Sequence, residues 1–457
     1  RCRLGGEIIA EKIGCPLILK ENLREMKMGD WEGLTLAEVE EHALSRSPRI
    51  LAAEKSVEQA EGQKLASLSG YLPHLTVSEV FNRGNDPVFA FGTKLRQARF
   101  TNADFSLPSL NEPAAINNYA TAFLVEQPIF NGGKSYYGRK QAAAFTDAAV
   151  RASRFVRDRT LFQTRQAYYS VILARENLQV IESALSAARS HCHQAERMLD
   201  AGMVTRADVL KTSVRESELE QQRIRAGNAV IVAVESLKLA AGWRGGEFLA
   251  PSDTLVEKVV DFELDSLIGY AVVNHGQLSA ARDAARAAEY GARAAWGEVL
   301  PHLNGFFQYQ RDGRDVFGGD GDHWMAGVAL EWKFFDGLGN AGRIKSKKAE
   351  REKAAYEAAL MHHQVEVSVR EVFFQTQAAK EMIAVAREAR KQARESLRIL
   401  ENQYREGLAT ITDLLDTELA STNSNLSLVK ALYEYNVALA RLSLVTGGYP
   451  EVIYADH

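Results

Sequence analysis

Few side chains in this chain of 457 residues have the types and spacing that chemistry requires. His191-Cys192-His193 and His362-His363 are metal-ligating types in a row. On a helix, positions i and i+2 point to different faces, so neither set converges on one ion and both read as surface residues. The three cysteines, Cys2, Cys15 and Cys192, make neither a disulfide framework nor a CxxC pair. No Gly-rich phosphate loop, HExxH or nucleophile elbow occurs. No catalytic residue, metal or cofactor is therefore expected. What remains is acidic. Asp208 follows Gly202 by six residues, and Asp413 follows Gly407 by six. The glycine suits the conformation that ends a helix, and the aspartate suits the cap of the next one. Asp416 lies one helical turn beyond Asp413, so the two carboxylates can face one space.

Those two turns belong to a larger repeat. Leu72-Pro73-His74-Leu75 returns as Leu300-Pro301-His302-Leu303, at an offset of 228 residues. Glu126, Phe130 and Gly132 return as Glu331, Phe335 and Gly337, and Gly202…Asp208 as Gly407…Asp413, both at 205. The first half therefore carries 23 extra residues in one loop. A repeat of about 200 residues is too long for a solenoid unit, and it reads as a duplicated strand-and-helix module.

In the second module, Leu303, Gly305, Phe307 and Tyr309 alternate with Asn304, Gln308 and Gln310. Residues 324–334 alternate again, with Trp324, Ala326, Val328, Leu330, Trp332 and Phe334 on one side. Period-two alternation with aromatic ends fits a membrane strand, and it equally fits a soluble sandwich. Glu79 interrupts the apolar face of the first module, Leu75, Val77 and Phe81.

The helical stretches favour the membrane reading. Residues 133–200 and 341–404 contain no proline and almost no glycine, which at about 1.5 Å per residue predicts two rods about 100 Å long. Ala379, Met382, Ala386, Ala389, Ala393, Ser396 and Leu400 follow a 3-4 spacing and predict a coiled-coil seam. Shorter helices over about 36–70 and 208–241, and over 263–298 and 413–446, match the long helices when laid end to end. Four strands, at about 73–83, 119–130, 301–311 and 324–335, cannot close a barrel, and open edges are not tolerated in lipid. Membrane strands would thus demand an oligomer. A net charge of −4 gives no electrostatic case for nucleic acid, and no run of 18 apolar residues supports a helical span.

In order, Leu36-x-Glu38…Ala43-Leu44…Ser47-Pro48, the two Leu-Pro-His-Leu openings, Gln127-Pro128-Ile129-Phe130-Asn131-Gly132-Gly133 and the two Gly-x5-Asp-x-Leu turns resemble the TolC family of outer-membrane efflux proteins. The resemblance covers about residues 34–446. It implies a mainly α fold with membrane β: a homotrimeric twelve-strand barrel in outer-membrane lipid, continuous with a periplasmic α-helical barrel. It also implies an inner-membrane pump and a periplasmic adaptor as partners, in efflux or type I secretion. By position, Asp413 and Asp416 would line the tip constriction, Tyr404 would join a closing latch, and Gly202, Asp208 and Gly407 would shape the tip turns that meet the adaptor. The latch arginine is here Ala409, with Arg405 and Arg206 as substitutes. The loop at about 83–118 would be extracellular, with Phe89, Phe91, Phe100 and Phe105 either folding over the barrel mouth or packing on themselves.

The expected organisation is a segment 1–33, a first repeat 34–241, a connector 242–262, a second repeat 263–446 and a tail 447–457. Segment 1–33 resembles part of a histidine phosphatase (phosphoglycerate mutase-like) domain, through Arg1-Cys2-Arg3, Glu7-Ile8-Ile9-Ala10, Leu23-Arg24-Glu25 and Gly29-Asp30-Trp31-Glu32-Gly33. The resemblance makes Arg1 a phosphate-binding residue and Glu25 an acid, but the Arg-His-Gly segment and second histidine have no counterpart, so no covalent route exists. The sequence opens without Met or an apolar signal region, so localisation is argued from the body of the chain. A phosphoesterase and a soluble coiled-coil scaffold are the competing readings.

Overall fold

The computed structural model describes residues 33–244, 250–258, 260 and 262–448. The segment 1–32, with Arg1 and Glu25, and residues 449–457 lie outside the described residues. Two helices dominate: α5 (Lys134–Asp200) and α9 (Gly339–Arg405), 67 residues each and so about 100 Å long. Each ends in a tight turn and returns as a shorter helix, α6 (Arg206–Ala241) or α10 (Ile411–Thr446).

The upper short helices are each broken once. In the first repeat, α1 (Leu36–Arg46) gives way to α2 (Pro48–Ala66) at Ser47, because Pro48 cannot donate inside a helix but fits its first turn. In the second, α7 (Leu264–Asn274) gives way to α8 (Gly276–Trp296) at His275, whose ring accepts from the Leu278 amide. Both breaks correct the expected continuous helices over 36–70 and 263–298. Gly242 abuts the Ser47 backbone and Gly447 the Asn274–His275 backbone, so the lower helices meet the upper ones at the breaks. Accordingly α1 lies beside α5 and α6, burying Val39 and Ala43 against Tyr168, Val234 and Leu237.

The expected seam on α9 is half a register out. Ala379, Ala386, Ala393 and Leu400 are partly buried, but Met382, Ala389 and Ser396 are exposed. Ile383 and Leu397 complete the contact with α10, Ile383 fully buried, while Val369 and Val372 farther up α9 cluster with Leu267 of α7 and Leu278 of α8. Burying such a side chain contributes roughly 1.5–3 kcal/mol, which decides the phase in favour of isoleucine over the flanking small residues.

The strands form one antiparallel sheet in the order β2 (His74–Gly84), β3 (Ile116–Asn131), β5 (His302–Gly313), β6 (Gly321–Glu331). Its register places Val77, Phe123, Tyr309 and Trp324 in one row, and Leu75, Val125, Phe307 and Ala326 in the next. The opposite face carries Ser78, Ala122, Gln310 and His323. A bulge at Pro128–Phe130 absorbs the proline that cannot donate to the ladder. Glu79 on the apolar side is satisfied by the Thr121 hydroxyl and the Phe317 amide. β6 stops at Glu331, short of the expected 335, because β5 begins at its partner His302. Beyond that point the Trp332 indole N–H donates to the Val299 carbonyl instead.

A short parallel pairing joins β1 (Gly33–Leu34) to β4 (Ala250–Pro251). A boundary at 33/34 therefore falls inside a strand, and the connector packs back on the start of the first repeat. In the inserted loop, α3 (Pro87–Arg96) folds over the polar face of the sheet and α4 (Leu107–Asn111) packs on α3. Phe91, Phe100 and Phe105 pack edge to face, with centroids 4.7 and 5.1 Å apart. Buried Gln97 donates to the Asn117 and Gly313 carbonyls, and Asn118 donates to buried Asp312 at 2.6 Å.

Candidate functional site: the paired tip turns

The two turns at the far end of the long helices are built by one local rule. Gly202 and Gly407 hold φ of 73° and 75°, a conformation that costs any L side chain about 1–2 kcal/mol. The Met203 amide returns to the Met198 carbonyl, and the Leu408 amide to Gln403, both at 2.8 Å. Each following helix starts with a reciprocal cap. The Thr205 hydroxyl donates to Asp208 at 2.8 Å while the Asp208 amide donates back at 3.3 Å. Thr410 and Asp413 repeat this at 2.6 and 3.2 Å. Hydrogen bonds from the threonines hold both carboxyls below the usual aspartate range.

Asp413 and Asp416 are both exposed on the outer turn of α10. Asp413 is thus a cap as much as Asp208 is, yet its second oxygen stays open to solvent. Asp416 makes no ion pair among the described residues. The turns touch through Lys211, whose ammonium sits 3.6 Å from Asp208 and donates to the Thr412 hydroxyl at 3.2 Å.

Tyr404 is buried, whereas Asp413 and Asp416 are exposed. It is 3% exposed, packed with Ile411 and Leu414 against Met198, Leu397 and Ala409. Its hydroxyl has no hydrogen-bond partner, and burial pushes its pKa up, as does the nearby Asp208 charge. Neither Arg405 nor Arg206 hydrogen-bonds it.

One residue expected on the surface is not there. His191 packs between α5 and α10, its Nε2 2.7 Å from Glu418 Oε1, with side-chain exposures of 13% and 8%. Cys192 is buried toward Ser213, and His193 is exposed beside Glu196. The legible signal was Ala184 and Ala187, seven and four residues earlier, which mark a second contact face on α5.

Among the described residues no cluster could hold a metal ion, and no helix is long and apolar enough to cross a membrane. A four-stranded sheet with one apolar face, continued by two helical hairpins of about 100 Å, defines an outer-membrane channel protomer. The chain belongs to the outer membrane efflux protein family, whose model matches residues 39–243 and 267–448. It is 22% identical over 416 residues to the alkaline protease secretion protein AprF of Pseudomonas aeruginosa, covering 89% of this chain and 82% of that one. It is 21% identical to the outer membrane protein TolC of Vibrio cholerae, over 85% and 94% of the two chains. The fold superposes on the Campylobacter jejuni CmeC outer membrane channel with a TM-score of 0.80 at 15% identity, over 90% of this chain and 85% of that one. A histidine phosphatase superfamily (branch 1) model matches residues 1–70, farther than the expected 1–33. Its overlap with the efflux match includes most of α1 and all of α2, which pack on α5.

Proposed function

We propose that three copies of this chain form a passive outer-membrane exit duct for efflux or type I secretion. The observation that carries this reading is the sheet order β2-β3-β5-β6, which leaves β2 and β6 with one unpaired edge each. Its apolar rows, ending in Trp324 and Ala326, suit lipid, where an open edge is untenable. Pairing β6 of one copy with β2 of the next removes every edge, and three copies supply twelve strands. The helical hairpins then continue the barrel as a periplasmic tube ending at the paired turns, where a periplasmic adaptor and an inner-membrane pump dock. Asp413 and Asp416 from three copies place six carboxylates around the narrow end, with Gly202, Asp208 and Gly407 shaping the rim and Tyr404 packing beneath it. Unit charges about 4 Å apart repel by about 1 kcal/mol in water and several times that where solvent is restricted, so such a ring favours cations.

Native mass spectrometry in detergent is expected to show three chains. A stable monomer with full strand content contradicts the reading. No phosphomonoesterase activity is expected of residues 1–457, which contain no Arg-His-Gly segment to supply a histidine nucleophile. Turnover that disappears in Glu25→Gln would contradict that.

A further inference from the structure

The segment between β2 and β3 is fastened to one face of the sheet, at the end far from the long helices. Gln97, 1% exposed, donates to the Asn117 and Gly313 carbonyls and to Asn118, which in turn donates to buried Asp312. The Arg96 carbonyl rests against Gly321, where no Cβ would fit. α3 thus touches β3, β5 and β6. Asn118, Asp312 and Gly321 lie on the polar face, opposite Phe123, Tyr309 and Trp324. With lipid on the apolar face, α3 stands inside the barrel. The second repeat joins β5 to β6 by residues 314–320 alone, so one such helix enters the lumen per copy.

α3 carries two stripes. Ala90, Thr93 and Gln97, at i, i+3 and i+7, are buried, and Gln97 marks that side as the one seated on the strands. Val88, Phe91 and Leu95 have the same spacing and fall on the opposite side, away from the sheet. Val88 and Leu95 are 81% and 51% exposed in the single chain. The neighbouring Lys94 is answered by Asp104 at 2.7 Å, so the stripe itself bears no charge. A channel lumen is ordinarily polar, and an apolar patch aimed into it marks a surface that another surface covers.

We propose that the three α3 stripes meet around the barrel axis and narrow the outer mouth to an apolar constriction, a site complete only with residues from all three copies. This rests on the exit-duct reading and adds a second narrow place, at the end opposite the acidic tip. The occupant of each stripe is the same stripe on another copy. The sheet that carries α3 is the one whose β2 and β6 edges join the copies, and the uncharged stripes have nothing to repel their equals. An apolar ring of this kind excludes ions by dewetting.

Cross-linking the full-length protein, with Cys2 and Cys15 replaced by serine, tests this. Leu95→Cys is expected to give a covalent dimer under mild oxidation, because a disulfide needs Cα atoms within about 7 Å. One thiol bonds one other, so the third chain of each trimer stays free. Adding Phe91→Asp, which charges every stripe, should remove most of the dimer. Val328→Cys, on the lipid side of β6, should give none. If neither Leu95→Cys nor Val88→Cys forms a dimer in a protein that native mass spectrometry shows to be trimeric, the constriction is refuted and the duct stands. Free reaction of the Leu95→Cys thiol with a bulky maleimide in that trimer means a stripe open to cargo, and also refutes it. So does a dimer yield that Phe91→Asp leaves unchanged. A protein that forms no trimer overturns the duct and the constriction together.

Discussion

The two tip turns share a backbone and differ in charge. Gly202 and Gly407 adopt the same left-handed conformation, and Thr205–Asp208 and Thr410–Asp413 form the same reciprocal cap. Among the positions where the copies differ, the one three residues past the capping aspartate carries opposite charges: Lys211 in the first turn, Asp416 in the second. In the first turn the cap charge is answered within 3.6 Å; in the second it is doubled. Duplication has kept the part that folds the turn and changed the part that faces solvent. The cap fixes geometry, and the residue one helical turn later sets the field.

That contrast can be broken most severely by exchanging the differing residue. Asp416→Lys puts after the second cap the residue type that follows the first, and is expected to erase the cation preference of the pore, read as the reversal potential in a salt gradient. Lys211→Asp should leave the preference intact or strengthen it. If Asp416→Lys leaves the reversal potential unchanged, the second turn does not face the conduction path.

The shared part predicts equal effects in both copies. Gly202→Ala and Gly407→Ala should each weaken their turn by about 1–2 kcal/mol, since both need positive φ although neither Cβ would meet a neighbour. Hydrogen exchange across the two turns measures it, and a large inequality would show that one turn bears a load the other does not.

Smaller still are the caps. Thr205→Ala and Thr410→Ala should each cost about 1 kcal/mol of local stability. Both capping carboxyls are held below the usual aspartate range by their threonines, so the cap is intact above that range and is lost as pH falls through the lowered value. Acid should therefore fray both turns together, visible as exchange rates that exceed the intrinsic pH dependence in both segments.

What the sequence made legible was what is local and repeated. Glycine followed six residues later by aspartate announces a helix-ending turn and a cap, and two proline-free stretches announce the rods. Pro48 marks one helix break in plain sight, but its partner at His275 rests on a histidine ring that caps only because α7 and α8 bend there. The small residues on α9 fit either of two adjacent stripes, and only contact with α10 shows that Ile383 is the buried member. β6 ends where β5 begins, which no alternation within residues 324–334 could reveal. The burial of His191 is hidden for the same reason: its partner Glu418 lies more than two hundred residues away, in the other repeat. Apart from the break at Pro48, which the local sequence marks, non-local partners rather than local propensity decide these differences.

The most direct test of the duct and its electronegative tip is conductance of the detergent-purified protein in planar bilayers, comparing the wild type with the Asp413→Ala/Asp416→Ala double variant. The wild type should form cation-selective pores blocked by divalent or trivalent cations that bridge neighbouring chains. The double variant should keep the pore while losing both the selectivity and the block, and Asp208→Ala should keep all three. A double variant with wild-type selectivity and block would show that these aspartates do not line the pore, and would contradict the placement of the second turn at its narrow end.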